Sequence, residues 1–430
     1  MRKISMLCLL ITGFVSMSVY AANLPVVPPE MFNEGASFHG VQILQPAIAT
    51  DSTGNIYVVW AGVKKLMGKR RQTHIYLSKS VDDGQTFQPP IQVNDSDGTA
   101  AVGWQLGPQI AVDANDRVYV SYGDFRGHRA EIYLTTSTDG GNTFSPSTPV
   151  TNGKLKIHEI LHAMGVSRDG KIYISWLDKS DVPESDHHAH HAIHVFVARS
   201  IDSGKHFDAP INLTAVQKNP VCECCRVSLV VDEAGNVFVA YRNNRNNIRD
   251  IYLSASRDEG ENWSEPIRVG FGKWQVFRCP ADAPVLAADR NGRIHLAWKD
   301  ARKGTNHVYY NSASTGDLAF RPETERRVSR DTIRFGNSPK AKYGEGGHPA
   351  VAIDQTGRVT LAWEVSANAT DIHTAVLSAD GFSSEKRVND DDGAFHQAYP
   401  VLASYEDKVY AVWADDRFKQ HRAYFAVLNP

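Results

Sequence analysis

Four cysteines in the central part of the chain have the type and spacing that most directly suggest chemistry. Cys222, Cys224 and Cys225 lie in one short stretch, and Cys279 follows in a later loop. Thiolates are soft ligands that favour Cu(I) or Zn(II), so the cluster is a candidate copper or zinc site, although its spacing is not that of a zinc finger. The same thiols could form one or two disulfides, with Cys222–Cys279 as a bridge between neighbouring loops, or a redox dithiol. The sequence leaves all three interpretations open.

Histidines in two places bear on the metal interpretation. His158 and His162 precede one predicted strand, and residues 186–194 form a loop with five histidines. Such a tract binds transition metals in some proteins and is a solvated loop in others. The candidate metal ligands are therefore Cys222, Cys224, Cys225, Cys279, His158 and His162.

A second group of residues is cationic. Arginine forks suit carboxylate or phosphate ligands, and several follow predicted strands beside an aspartate. The candidate ligand-binding residues are Asp124, Arg126, Arg242, Arg245, Arg278, Asp300, Arg302, Tyr343, Glu345 and Arg417. The alternative is that each arginine pairs with a nearby aspartate, such as Asp416 beside Arg417, and makes its loop rigid.

Two repeated patterns predict the framework that positions these residues. Ser-x-Asp-x-Gly-x-x-aromatic occurs at residues 80–87, 137–144, 200–207 and 256–263. A longer pattern, roughly Pro-x-Ile-Ala-x-Asp-x-x-Gly-x-Val-Tyr-Val-x-Trp-x-Asp, occurs seven times, starting near residues 46, 108, 162, 227, 284, 349 and 399. Each longer copy is typical of two alternating strands joined by a turn, with a third strand and a fourth to follow. The sequence therefore predicts an all-β, seven-bladed propeller of four-stranded antiparallel blades, with six blades as the alternative.

Closure of this ring requires a strand from the N-terminal region, because the last repeat ends after its third strand. Residues 37–44 resemble the fourth strand at residues 86–93. We therefore expect residues 37–44 to complete the last blade and to remove its open edge.

The four short motifs resemble Asp boxes, the BNR repeats of the sialidase superfamily, and the resemblance covers essentially the whole mature chain. In that family the box is a structural turn remote from the active site, which implies that Asp82, Asp139, Asp202 and Asp258 hold turns. Family sialidases place three arginines on the substrate carboxylate and use a Tyr nucleophile assisted by Glu, with an Asp acid/base. The family's early Arg-Ile-Pro motif is absent from the first repeat, and Tyr343 and Glu345 are only two positions apart. The catalytic residues, if any, stay unknown.

In this strand order the first strand of each blade lines the central channel. The loops before the first strands and those between the second and third strands then lie on one face, which we call the mouth. The cysteine and arginine candidates fall in these loops, as do Trp104, Trp274, His348 and His396. We expect a ligand or a soft metal ion to bind at the mouth. The alternative is an exo-sialidase-like glycoside hydrolase that acts on anionic glycans.

The N-terminus is typical of a signal peptide over residues 1–22. Arg2 and Lys3 precede an apolar run too short to span a bilayer comfortably, and Ala21 and Ala22 suit cleavage. An N-terminal membrane anchor is the alternative. We expect one mature domain, residues 23–430, in the periplasm or secreted, without a transmembrane segment. The net charge of −2 gives no reason to expect a nucleic-acid partner, so a small molecule, a glycan or an envelope protein is the expected ligand.

Overall fold

The computed structural model describes residues 24–26, 41–64, 72–103, 105–126, 130–151, 161–178, 193–215, 221–330, 345–366, 369–391, 395–417 and 422–428. These residues form seven antiparallel sheets and a single 3-10 turn, Pro322–Thr324. Among them, no helix has the length and apolarity needed to cross a membrane. The predicted signal peptide lies outside the described residues.

Each sheet is one blade. Blade 1 holds β2 (Val41–Thr50), β3 (Ile56–Lys64), β4 (Gln72–Ser80) and β5 (Ile91–Gln92), and blade 2 holds β6 (Gln109–Val112), β7 (Val118–Asp124), β8 (Glu131–Ser137) and β9 (Thr148–Pro149). Blade 3 holds β10 (Ala163–Val166), β11 (Ile172–Asp178), β12 (His194–Ser200) and β13 (Ile211–Asn212). Blade 4 holds β14 (Ser228–Val231), β15 (Val237–Arg242), β16 (Ile251–Ser256) and β17 (Ile267–Arg268).

The remaining three blades follow the same order. Blade 5 holds β18 (Val285–Ala288), β19 (Arg293–Asp300), β20 (His307–Ser314) and β21 (Arg326–Arg327). Blade 6 holds β22 (Glu345–Ile353), β23 (Val359–Ser366), β24 (Thr370–Ser378), β25 (Gly381–Phe382) and β26 (Lys386–Arg387), the last two both pairing with β24. Blade 7 holds β27 (Gln397–Tyr405), β28 (Lys408–Asp415), β29 (Arg422–Leu428) and β1 (Leu24–Pro25).

The inner strands form a closed ring. Strand β2 contacts β6, and contacts continue through β10, β14, β18, β22 and β27, which returns to β2. The predicted seven-bladed propeller is therefore confirmed.

The strand that closes the ring differs from the predicted one. Leu24 and Pro25 pair with Phe425 and Tyr424 of β29, and Val26 is fully buried beside them. Residues 41–44, part of the predicted closing strand, instead begin β2 and pair with residues 61–64 of β3. The prediction was wrong because an inner strand and an outer strand share the same alternation of apolar residues.

Aromatic side chains from the second strand of every blade fill the interfaces between blades. Seven apolar clusters, one at each junction of neighbouring blades, make up the core of the described residues. Each cluster contains one fully buried aromatic that faces the preceding blade; in blade order these are Trp60, Tyr122, Trp176, Tyr241, Trp298, Trp363 and Trp413. Because such side chains bury about 150–250 Å² each, they supply much of the driving force for blade packing.

The four Asp boxes are structural turns, as predicted. In the box of blade 2, Asp139 accepts hydrogen bonds from the main-chain N–H groups of Asn142 and Thr143 at 3.0 and 2.9 Å. Ser137 Oγ accepts the N–H of Gly141 at 2.9 Å, and Gly141 has a φ of 82° that favours glycine. Equivalent Ser–Gly bonds recur in the boxes that start at Ser80, Ser200 and Ser256.

We expect the Asp139 carboxylate to stabilise the fold and to take no part in ligand binding or chemistry. Asp139→Ala removes the acceptor of two amides and two hydroxyls, so we expect the free energy of unfolding in urea to fall by about 1–2 kcal/mol. Thr138→Ala, at an exposed position of the same turn, is the matched control and should change it by less than about 0.5 kcal/mol. Equal stability of the two variants would contradict the structural role.

Candidate ligand-binding site at the channel mouth

The end of the channel opposite the mouth carries a cavity that is not the best candidate site. The tight turns after the inner strands of all seven blades surround a space of about 600 Å³. Its aspartates are already engaged: Asp51, Asp113 and Asp232, for example, each accept main-chain N–H groups of their own turn. These carboxylates therefore hold turns.

At the mouth, three inner strands begin with a bulge. Gln45, His348 and Tyr399 each precede a proline, and each has a positive φ, of 45°, 42° and 55°. The pairing register of β2, β22 and β27 shifts at these residues. A bulge re-aims a side chain, and a positive φ strains a residue other than glycine, so such positions cluster at functional sites.

His348 joins blades 5, 6 and 7. Its Nδ1 lies 2.8 Å from Glu364 Oε2, its main-chain N–H donates to Asp282 Oδ2 at 2.8 Å, and its ring lies 4.9 Å from that of Tyr399. Burial lowers the pKa of this imidazole, but the negative charges of Asp282 and Glu364 outweigh burial and raise it to about 9. His348 is therefore protonated at neutral pH.

The Tyr399 hydroxyl is bonded to an amide rather than to a carboxylate. Glu364 Oε1 accepts the main-chain N–H of Tyr399 at 2.7 Å, whereas the hydroxyl hydrogen-bonds the Gln45 side chain. Burial, with the nearby Glu364 charge, raises the pKa of Tyr399. This environment keeps the phenol neutral.

Further hydrogen bonds link the mouth loops from blade 1 to blade 4. Gln45 Oε1 accepts the main-chain N–H of Gly107 at 2.5 Å. Gln105 then donates to the carbonyl of Cys224 at 2.9 Å and accepts the main-chain N–H of Arg226 at 2.8 Å. We call Gln45, Gln105, Asp282, His348, Glu364 and Tyr399 the mouth network.

The cysteines form one disulfide and one pair of free thiols. A disulfide joins Cys224 to Cys279 and so links blades 4 and 5. The predicted bridge was wrong in one residue, because Cys224 and not Cys222 bonds Cys279. Cys222 and Cys225 are free and buried, with their sulfurs 3.2 Å apart. The Cys222 sulfur instead accepts a hydrogen bond from Arg249 Nη1 of the same blade at 2.9 Å.

Burial and the neighbouring groups shift the pKa values of the two free thiols in opposite directions. Burial and the neighbouring Cys225 sulfur raise the pKa of Cys222 well above its ordinary value. Burial also acts to raise the pKa of Cys225, but the hydrogen bond from Cys222 and the charge of Arg242 outweigh it and lower the pKa to about 7. Cys222 is therefore the hydrogen-bond donor of the pair and Cys225 the acceptor.

The Arg226 guanidinium has no counter-ion in the part of the chain that the structure describes. Among the described residues, no carboxylate or other acceptor partners its half-buried guanidinium, although its main-chain N–H is bonded to Gln105. Burial without compensation lowers the pKa of Arg226 to about 10. A buried cation of this kind gains stability when an anion binds beside it.

Three predicted arginines are engaged within their own loops. Arg126 and Arg302 each bond the aspartate two positions earlier, Asp124 and Asp300, and stack on a tyrosine. Arg417 does the same with Asp415, at 2.7 Å, rather than with Asp416. This geometry favours loop stiffening, the second of the two interpretations of these residues.

The other predicted residues are distributed as follows. Arg242 is buried and donates to the carbonyls of Arg249 and Lys299, both at 2.9 Å. Arg245 and Arg278 are exposed, and His162 is buried with Nε2 3.0 Å from Ser121 Oγ. Trp104, His158, residues 186–192, Tyr343 and the Glu345 side chain lie outside the described part of the chain.

The sequence patterns placed His348 at the mouth. They did not identify six further residues as parts of the same site: Gln45, Gln105, Arg226, Asp282, Glu364 and Tyr399. One signal was available. Gln45, His348 and Tyr399 occupy the same position in the repeat, immediately before its proline. Large polar residues are unexpected there, because the residue before proline is restricted in its backbone conformation.

The raised pKa of His348 predicts a loss of stability at alkaline pH. The pKa of His348 in the folded state lies above its value of about 6.5 in the unfolded state. Protonated His348 therefore stabilises the fold fully below about pH 6.5, and this stabilisation is lost as the pH rises through about 9. We expect wild-type protein to exceed His348→Gln in free energy of unfolding by about 3 kcal/mol at pH 6, with the excess vanishing near pH 10. A difference that is independent of pH would contradict the protonated state.

Comparisons with known proteins agree with this architecture. A family model for the BNR repeat-like domain matches residues 107–312, and a search of curated proteins found no match. Similar solved structures include a PL25 ulvan lyase (TM-score 0.55, 12% identity, covering 90% of this chain and 93% of that one). A protein of unknown function from Dyadobacter fermentans has a TM-score of 0.52 and 14% identity, and the match covers 95% of this chain and 98% of that one. The Hadza microbial sialidase Hz136 has a TM-score of 0.50 and 13% identity, and the match covers 95% of this chain and 68% of that one. Residues 107–312 therefore match the BNR repeat-like domain, and the chain as a whole shares its β-propeller fold with these solved structures.

Proposed function

We propose that this chain is an exported propeller that binds an acidic saccharide at the mouth, with Arg226 holding the carboxylate. The observation that carries the proposal is the half-buried Arg226 guanidinium, which lacks a partner among the described residues. A guanidinium fork forms two parallel hydrogen bonds to a carboxylate, and these are strong where water is partly excluded.

The charged side chains of the neighbouring mouth loops also favour an anion. The cations there are Arg242, Arg249, Lys299 and protonated His348, and the carboxylates bonded to three of them are Glu223, Asp282 and Glu364. With Arg226, the cations of this group outnumber its carboxylates by two. A group of this sign attracts anionic ligands and repels cationic ones.

A sugar ring is the favoured carrier of that carboxylate. Phe277, beside Arg278 in the loop held by the Cys224–Cys279 bridge, is 78% exposed, and Phe125 in the loop after β7 is 49% exposed. Exposed aromatic rings offer flat apolar surfaces to the apolar faces of sugars. The similar propellers include a sialidase and an ulvan lyase bound to -[GlcA(1-4)Rha3S]-, and both names imply sugars with a carboxylate.

Hydrolysis is the second candidate, because Tyr399 and Glu364 are adjacent at the mouth. The sialidase pattern requires a glutamate that activates the tyrosine hydroxyl. Here Glu364 is bonded to the Tyr399 main-chain N–H and to His348, and the pKa of the phenol is raised. Binding without turnover therefore fits these contacts better.

Calorimetric titration with a sialyl trisaccharide and with glucuronate-containing oligosaccharides tests the proposal. We expect Arg226→Gln to weaken binding of the acidic sugar by about 10–100-fold, because a hydrogen-bonded charge pair contributes about 1.5–3 kcal/mol. Neutral analogues without the carboxylate should bind as weakly to wild-type protein as the acidic sugar binds to the variant.

Arg290→Gln is the control, since Arg290 lies at the opposite channel end in an exposed ion pair with Glu233. It should leave the affinity unchanged. Equal losses in both variants, or none in Arg226→Gln, would overturn the proposal. Release of a fluorophore from a sialoside that disappears in Tyr399→Phe would favour hydrolysis instead.

Export is tested on protein recovered from the periplasm or the medium of an expressing bacterium. We expect its N-terminus to follow Ala21 or Ala22, as the apolar run and small residues predict. Intact-mass measurement decides this. A full-length chain that fractionates with membranes would support the N-terminal anchor instead.

A further inference from the structure

A compact group of three sulfur atoms lies beside the mouth network. Cys222 Sγ is 3.7 Å from Cys224 Sγ and 3.2 Å from Cys225 Sγ, and all three sulfurs lie within 4.8 Å of one another. Such spacing matches three ligands of one ion, because metal–sulfur bonds are about 2.3 Å long. We call Cys222, Cys224 and Cys225 the sulfur triad.

Hydrogen-bond donors surround the triad. Arg249 donates to Cys222 Sγ at 2.9 Å, the main-chain N–H of Cys224 also bonds that sulfur, and the main-chain N–H of Asp282 bonds Cys225. Donors aimed at sulfur stabilise thiolates and are typical of the surroundings of metal-bound sulfur. These three donors therefore offset part of the cost of negative charge on the triad.

The composition of the site selects a soft monovalent ion. Three thiolates and Cu(I) carry a net charge of −2, and the buried guanidinium groups of Arg242 and Arg249, the latter also paired with Glu223, offset part of it. Zinc in structural sites almost always takes four ligands, and no imidazole or carboxylate of the described residues joins the group. Soft sulfur ligands without a fourth donor favour Cu(I).

We propose that the sulfur triad is a Cu(I) site that the Cys224–Cys279 disulfide closes. A thiol reductant opens it: two RSH reduce the bridge to two thiols and leave as RSSR. Cu(I) then binds the sulfurs of Cys222, Cys224 and Cys225 and displaces the protons that they carry, and Cys279 stays a thiol at the exposed end of its loop. Disulfide and copper are thus alternative states of Cys224, and copper binding does not require a saccharide.

Anaerobic titration of the full chain with Cu(I), supplied as its bicinchoninate complex, tests the proposal. Copper per chain and ultraviolet sulfur-to-copper absorption are measured. We expect one Cu(I) per chain after phosphine reduction and at least about tenfold weaker binding by the disulfide form, equivalent to about 1.4 kcal/mol.

Cys279→Ser provides the sharpest variant because it leaves Cys224 as a free thiol. It should bind one Cu(I) without any reductant, and the double variant Cys224→Ser with Cys279→Ser should bind at least about tenfold more weakly. Thermal unfolding checks that both variants are folded. Three results would overturn the proposal. They are equal Cu(I) affinity of these two variants, tighter binding of Zn(II) than of Cu(I), and the absence of copper on both reduced wild-type protein and Cys279→Ser.

Discussion

Closure of the ring by two N-terminal residues is the constraint on which the rest of this structure depends. Each blade buries its faces only against its neighbours, so a blade at an open end would expose both an apolar face and an unpaired edge. Leu24 and Pro25 supply the fourth strand of blade 7, and Val26 joins the cluster between blades 7 and 1. The seven inner strands are thereby held around one axis.

The candidate site exists only because the ring is closed. Its residues come from loops far apart in the chain, such as Gln105 of blade 2 and Cys224 of blade 4, which meet across the channel. Closure also holds the strained backbone at Gln45, His348 and Tyr399, whose side chains then bond to one another or stack. Strain of this kind persists where the surrounding structure over-determines the conformation.

The framework was largely predictable from the sequence, because turn chemistry and strand alternation are local. The Asp-box bonds around Asp139 follow from residue types within eight positions of one another. The closing strand was not predictable, because a two-residue pairing has no periodicity to detect. The disulfide partner of Cys279 was missed for a related reason: Cys222 and Cys224 are only two positions apart, and the direction in which each sulfur points depends on the fold of their loop.

The candidate site was predictable only in its location. Residue types drew attention to Arg126, Arg302 and Arg417, whose partners lie in their own loops and on neighbouring strands. Arg226 directly precedes its repeat, as Gln45 and His348 do, but its importance arises from what is absent around its guanidinium in the described structure. Whether a guanidinium has an acidic partner depends on three-dimensional packing, so it is not predictable from a sequence pattern.

In the proposed function, Arg226 recognises a carboxylate at the mouth. A crystal structure of the protein with a bound glucuronate-containing or sialylated oligosaccharide tests this recognition. We expect the sugar carboxylate within hydrogen-bonding distance of the Arg226 guanidinium, with the ring near Phe277. A carboxylate bound at the tight-turn end of the channel, or at the mouth without contact to Arg226, would contradict it.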